Sequence, residues 1–191
     1  MSGAVVGLDG VVRCAWCGSD AAYVAYHDEE WGRPERDERG LFEQLSLEAF
    51  QSGLSWSTIL GKRAGLRRAF AEFDPQAVAA FGDDDVSRLV VDAAIVRHRG
   101  KIEATIANAR AVEALHTRGS SLSELVWRFA GPARSRTAVR GELPAQTAAS
   151  QALSDELRRA GFRFVGPTTV YAFMQAAGIV DDHVAGCFRA S

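Results

Sequence analysis

The chain has 191 residues, 47% hydrophobic and 24% charged, which fits a globular fold with a sizeable core and excludes a disordered or fibrous chain. Its 22 basic and 24 acidic residues leave a net charge of -2, so any contact with nucleic acid has to come from a local basic patch. No apolar run reaches the ~18 residues of a membrane span, and the first residues lack a basic-then-apolar leader pattern, which points to the cytoplasm.

In chain order, the only strand signal is Val5 to Val12, interrupted by glycines, and residues 1–12 are expected to form a poorly ordered, irregular arm. The segment Tyr26-His27-Asp28-Glu29-Glu30-Trp31-Gly32 reads as a loop. Leu41, Phe42, Leu45, Ala49 and Phe50 repeat at helical spacing, and Gly53 ends that helix. Ile59, Leu60, Leu66, Ala69, Phe70 and Phe73 mark a second helix, and Asp74-Pro75 reads as N-cap and first residue of a third. Asp83 is placed as the cap of a fourth, and Arg97-His98-Arg99-Gly100 leads into a longer one carrying Ile102, Ile106, Ala109, Val112 and Leu115. Ser121-Leu122-Ser123-Glu124 fits a capping box. Residues 131–150 read as a long loop, and helices resume at 151–160, 168–177 and around 182–188. The pattern predicts an all-α fold of nine or ten short helices in a single domain, residues 1–191.

Four features carry chemistry. The three cysteines are too few and too unevenly placed for a disulfide framework, which argues for thiols that are free or on a metal. His183 and Cys187, at i and i+4, suit two ligands of a tetrahedral zinc on one helical face. Cys14 with His27, or Cys14 with Cys17, would complete the set, and the competing reading is ordinary buried thiols and histidines. Glu48 sits in an apolar helix, where it is either a buried carboxylate with a purpose or a solvent-facing or arginine-paired residue. With Tyr26 and Trp56, themselves plausible as core aromatics, it would form a pocket for a flat, cationic heterocycle. Gly161 to Thr169 joins two helices through a glycine-flanked turn that reads as a phosphate-binding hairpin or a plain connection. Arg158, Arg159 and Arg163 surround it, and Arg97, His98, Arg99 and Lys101 form a second basic cluster.

Taken together, Arg13-Cys14-Ala15-Trp16, Tyr26 to Gly32, Leu47-Glu48 through Trp56, Ile95 to Ile102, Gly161 to Gly166 and Asp182-His183 to Cys187 resemble the 3-methyladenine DNA glycosylase I family. The resemblance runs in unbroken order from Arg13 to Cys187. It implies a helix–hairpin–helix fold and one structural zinc on Cys14, His27, His183 and Cys187, joining the two ends of the chain. Tyr26, Glu48 and Trp56 would hold the lesion base, with Trp16 and Trp31 packing nearby. Gly161, Arg163, Phe164, Gly166 and Thr168 would anchor DNA. The implied activity is monofunctional removal of 3-methyladenine from alkylated double-stranded DNA, by a monomer that leaves an abasic site and releases the free base. The alternatives are a non-catalytic, zinc-stabilised DNA-binding module, or a glycosylase with lyase activity. The chain carries Asp181 where the family commonly has asparagine. Asp181 is expected to cap the helix bearing His183, with a catalytic role as the rival reading, because the wider superfamily uses an aspartate in a similar setting.

Overall fold

The computed structural model describes residues 3–131 and 143–190. Most of residues 131–150, read above as one long loop, lies outside the described residues. The described residues carry nine α-helices and one two-stranded hairpin. The helices are α1 (Ala21–Glu29), α2 (Glu38–Gln51), α3 (Trp56–Ala69), α4 (Pro75–Ala79), α5 (Asp83–Leu89), α6 (Arg99–Thr117), α7 (Leu122–Trp127), α8 (Ala148–Arg159) and α9 (Pro167–Ala176). None is long and apolar enough to cross a membrane.

Local rules explain most boundaries. The Asp74 side chain accepts from Ala77 N at 3.0 Å with Pro75 at the first helical position, so α4 starts where cap chemistry puts it. Ser121 caps α7 by accepting from Glu124 N, although Glu124 does not return the bond and instead takes one from Ser120 Oγ. Thr147 and Ser150 form a reciprocal capping pair that starts α8 at Ala148, earlier than the periodicity predicted. Gly82, rather than Asp83, occupies the cap position of α5, and Asp85 accepts its N–H.

Three expectations are corrected. The N-terminal arm is an antiparallel hairpin of β1 (Ala4–Val6) and β2 (Val12–Cys14), and Phe188 N donates to Val12 O at 2.8 Å. The hairpin is therefore held by the chain's other end. Tyr26 and His27 lie on a helix, since Asp20 caps α1 through Ala22 N and Tyr23 N. The second predicted helix stops before Phe73, because Ala71, Glu72 and Phe73 form a left-handed turn with φ of 50, 53 and 55°. Such a turn is costly for L-residues, and it places Phe73 fully buried and stacked on Phe70.

Helix α2 is the spine. It packs against α3, α6, α7 and α9, and buries Leu41, Phe42, Leu45, Leu47 and Phe50 in one continuous apolar core. Its C-terminus would leave carbonyls without partners. Lys101, from the first turn of α6, donates its Nζ to the carbonyls of Phe50 (2.8 Å) and Ser52. The ammonium is buried, and desolvation pushes its pKa down. Lys101 thus belongs to the scaffold and leaves the basic cluster assigned to it above. Replacing Lys101 with Met leaves two carbonyls without a donor and should cost about 1–3 kcal/mol. Chemical denaturation of K101M measures this, and wild-type stability would show that the two bonds add nothing.

Candidate base pocket and metal group

Glu48 lies on the inward side of α2 and is 6% exposed. Among the described residues its Oε2 has no hydrogen-bond partner, and neither does the buried Trp56 Nε1. The arginines that might have neutralised it pair elsewhere, with Arg63 on Glu30 and Glu43 and Arg67 on Glu43. Burial pushes the Glu48 carboxyl up to about 8, so at neutral pH it holds its proton and can donate as well as accept.

Around this carboxyl is a cavity of about 230 Å³ lined by Trp16, Tyr23, Tyr26, Trp31, Glu48, Gln51, Trp56, Leu143, Ala172 and Gln175. The rings of Tyr26 and Trp56 lie 5.0 Å apart at 42°. Trp16 packs edge-on against Trp31, at 4.9 Å, and against Tyr26. Flat apolar walls with a few polar groups suit a planar heterocycle. The structure brings together all three residues of the sequence-derived pocket. It adds Tyr23, Gln51 and Gln175, which sequence reasoning missed. A larger depression of about 420 Å³, on the side of α2 that carries Glu43, is lined by ion pairs and lacks aromatic walls.

Beside the pocket, the ligand atoms of Cys14, His27 and Cys187 all lie within 4.8 Å of one another and are buried, a group that could hold a metal ion. His27 Nε2 faces Cys187 Sγ at 3.4 Å, while its Nδ1 contacts Asp28 Oδ1 at 2.7 Å. Arg13 braces Asp28 through two nitrogens and also pairs with Asp9. His183 repeats the pattern. Its Nδ1 contacts Asp181 Oδ1 at 2.7 Å, and its buried Nε2 has no partner among the described residues. Its ring centroid lies 5.4 Å from that of His27. Burial lowers the pKa of both histidines, which keeps them neutral and able to ligate. Burial and the neighbouring Cys187 thiol push Cys14 up to about 12, so a second charge must stabilise any thiolate there. Cys17 lies outside the group and turns its thiol toward Gly18 O. Gly32, at φ +76°, has no side chain because a Cβ would sit 2.5 Å from His183 Cε1.

The premise of a helix at 182–188 fails: no helix is present there, and Asp181 caps none. Its Oδ1 instead accepts from His183 N at 3.2 Å and holds the His183 ring.

The predicted hairpin joins α8 to α9. Gly161 turns at φ +99° and Phe164 at φ +56°, with Phe162 and Val165 buried and Arg163, Phe164 and Thr168 exposed. Asn108 of α6 clamps the turn, accepting from Arg163 N at 2.7 Å and donating to Arg163 O at 3.1 Å. Gly166 caps α9 with Pro167 at the first position, and among the described residues no side chain caps the amides of its first turn.

The family model for methyladenine glycosylases matches residues 16–190. The chain belongs to the methyladenine glycosylase family. It is 50% identical over 177 residues to DNA-3-methyladenine glycosylase 1 of Escherichia coli (strain K12), covering 92% of this chain and 95% of that protein. A crystal structure of a 3-methyladenine DNA glycosylase I superimposes with a TM-score of 0.89 at 48% identity, covering 94% of this chain and all of the other. A Staphylococcus aureus 3-methyladenine DNA glycosylase I, solved for the structural basis of its 3-methyladenine recognition, gives a TM-score of 0.88 at 34% identity, covering 94% and 96% of the two chains.

Glu48 makes the stability of this family member depend on pH. The folded state holds the proton to about 8, whereas the ordinary carboxyl loses it near 4.5. Between those values the folded chain binds a proton that the unfolded chain has shed, so stability falls as pH rises. Above that window the penalty levels off at a few kcal/mol. Glu48→Gln, a neutral residue of the same shape, should raise the melting temperature strongly at pH 9 and little at pH 5. Equal differences at both pH values would place the carboxyl in solvent.

Proposed function

We propose that the protein is a monofunctional DNA glycosylase that removes 3-methyladenine from alkylated double-stranded DNA. The observation that carries this reading is the unpaired, buried carboxyl of Glu48 inside an aromatic cavity, in a chain whose relatives are named DNA-3-methyladenine glycosylases. Methylation at N3 leaves the purine positively charged. Breaking the C1′–N9 bond sends its electron pair onto the base, which departs neutral, while water adds to C1′ and loses a proton. The leaving group therefore needs no strong acid. The task is to extrude the nucleotide, at a cost of a few kcal/mol of unstacking, and to recognise the base outside the stack. Glu48 reads its edge, Tyr26 and Trp56 stack against its face, and Trp16 and Trp31 close the walls.

In this reading the α8–α9 turn is a helix–hairpin–helix anchor. Gly161, Gly166 and Thr168 bring backbone amides to a phosphate, Arg163 adds charge, and Phe164 projects beside them, 41% exposed. A lyase reading has no nucleophile in its support. The chain has two lysines, of which Lys101 is buried in the scaffold and Lys62 donates to Ala93 O. Cys14, His27, His183 and Cys187 hold one structural zinc in this account. Two sulfurs and two neutral imidazole nitrogens suit that ion, and the partnerless Nε2 of His183 supports the fourth position. Bound there, the ion supplies folding energy rather than chemistry. Asp28 and Asp181 orient the two imidazoles.

Incubation with methylated duplex DNA should release 3-methyladenine, identified by chromatography, and leave the strand intact until hot alkali cuts it. Cleavage without alkali would establish a lyase, and tight DNA binding with no released base would establish a binding module.

Metal analysis tests the ligand set. Cys17→Ser should retain zinc, and Cys14→Ser should lose it together with stability. Asp181→Asn, which keeps an oxygen on His183, should retain zinc and most single-turnover activity. A loss of ~100-fold in rate (nearly 3 kcal/mol) with metal and fold intact would make Asp181 catalytic.

A further inference from the structure

Gln175 enters the base cavity from α9, and its side-chain amide is not free to turn. Nε2 donates to Asp182 Oδ2 at 2.9 Å, and the same oxygen accepts the hydroxyl of Tyr171. Asp182 is buried, 7% exposed. A flipped amide would set its oxygen against a carboxylate oxygen and take away one of the two donors to that buried acceptor, replacing a hydrogen bond with a repulsion. The amide is therefore fixed with nitrogen toward Asp182. Gln175 Oε1 is the atom left over, and it makes no hydrogen bond to a described residue.

We propose that Asp182 locks Gln175 as a hydrogen-bond acceptor in the base cavity, and that this lock selects methylated adenine over methylated guanine. The inference rests on the base-pocket reading above. The two purines differ at positions 1, 2 and 6, and at position 6 adenine carries an amine that donates and guanine a carbonyl that accepts. Glu48 cannot make this distinction alone, because a carboxyl that exchanges its proton can accept from the amine or donate to the carbonyl. An amide pinned through its nitrogen cannot exchange the places of its oxygen and nitrogen, so the position held by Oε1 remains an acceptor. It receives a donor and leaves an opposing carbonyl unpaired and repelled. Sites that bury a fixed polar group in this way reject the mismatched analogue far more strongly than shape alone does. Gln175 is then the specificity-determining residue, and Asp182 is a positioning residue that acts through it.

The test measures binding of free 3-methyladenine and free 3-methylguanine to the full-length, metal-loaded protein by calorimetry. Wild type should prefer 3-methyladenine. Gln175→Met, close in shape and lacking the acceptor, should reduce the preference ~10-fold or more by weakening adenine binding and relieving the clash with guanine. Asp182→Asn, which can face the amide with either a donor or an acceptor, should reduce it part of the way while 3-methyladenine still binds. A purely structural role for either residue would weaken both bases alike and leave their ratio unchanged. Gln175→Met protein that binds 3-methyladenine with the wild-type ratio overturns the inference, whatever becomes of Asp182→Asn. Wild-type protein that binds neither base overturns it together with the base-pocket reading, and the two failures are distinguished by the wild-type measurement.

Discussion

An ionisable carboxyl enclosed by aromatic rings, with no arginine, lysine or backbone amide among the described residues to satisfy it, is expensive to keep. The walls around Glu48 have to be rigid enough to keep other side chains from pairing with it, and each is anchored separately. Lys101 holds the end of α2, so the helix bearing Glu48 and Gln51 cannot unwind toward solvent. Ser55 caps α3 by accepting from Thr58 N, which sets Trp56 at the first helical position. Asp182 and Tyr171 fasten the α9 side of the cavity through Gln175. A polar group kept unsatisfied at such cost is characteristic of a site whose missing partner is a ligand.

The fourth wall couples the cavity to the metal group. Tyr26 and His27 are neighbours on the last turns of α1, one facing the cavity and the other the two cysteines. Trp31 bridges the same boundary, with its ring 4.7 Å from His183 and 4.9 Å from Trp16. The sulfur and imidazole groups come from both ends of the chain, so closing them fixes the N-terminal hairpin, the end of α1 and the C-terminal segment in one step. A structural ion at this place would carry no chemistry and still determine how well the aromatic walls are aligned. The paired arrangement of Asp28 on His27 and Asp181 on His183 fits that task, since each carboxylate sets its ring so that Nε2 points inward.

How far the sequence foretold this follows from which forces act locally. The apolar period of α2 and α6 and the caps at Asp74 and Ser121 are local, and they were legible. Helix α1 was not, because Tyr26 to Gly32 has no apolar stripe and the decisive signal is a single capping aspartate, Asp20. The i, i+4 spacing of His183 and Cys187 suggested a helix that does not exist. Those residues are brought together by pairing with β2 and by Asp181, and spacing alone cannot distinguish a helical turn from a looped segment. Family resemblance supplied Tyr26, Glu48 and Trp56 by position. Nothing in the sequence marked Gln175, whose role depends on a carboxylate seven residues on and on a turn between them. The removal of Lys101 from the basic cluster likewise depends on a contact 51 residues back in the chain.

The central claim is that Glu48 is a buried, unpartnered carboxyl that waits for the base. Carbon-13 NMR of the Glu48 side-chain carboxyl, titrated with and without 3-methyladenine, tests it most directly. The account predicts a midpoint near 8 in the free protein, and a clear drop once a base N–H donates to the carboxylate. An ordinary midpoint near 4.5 that the base does not move would contradict it.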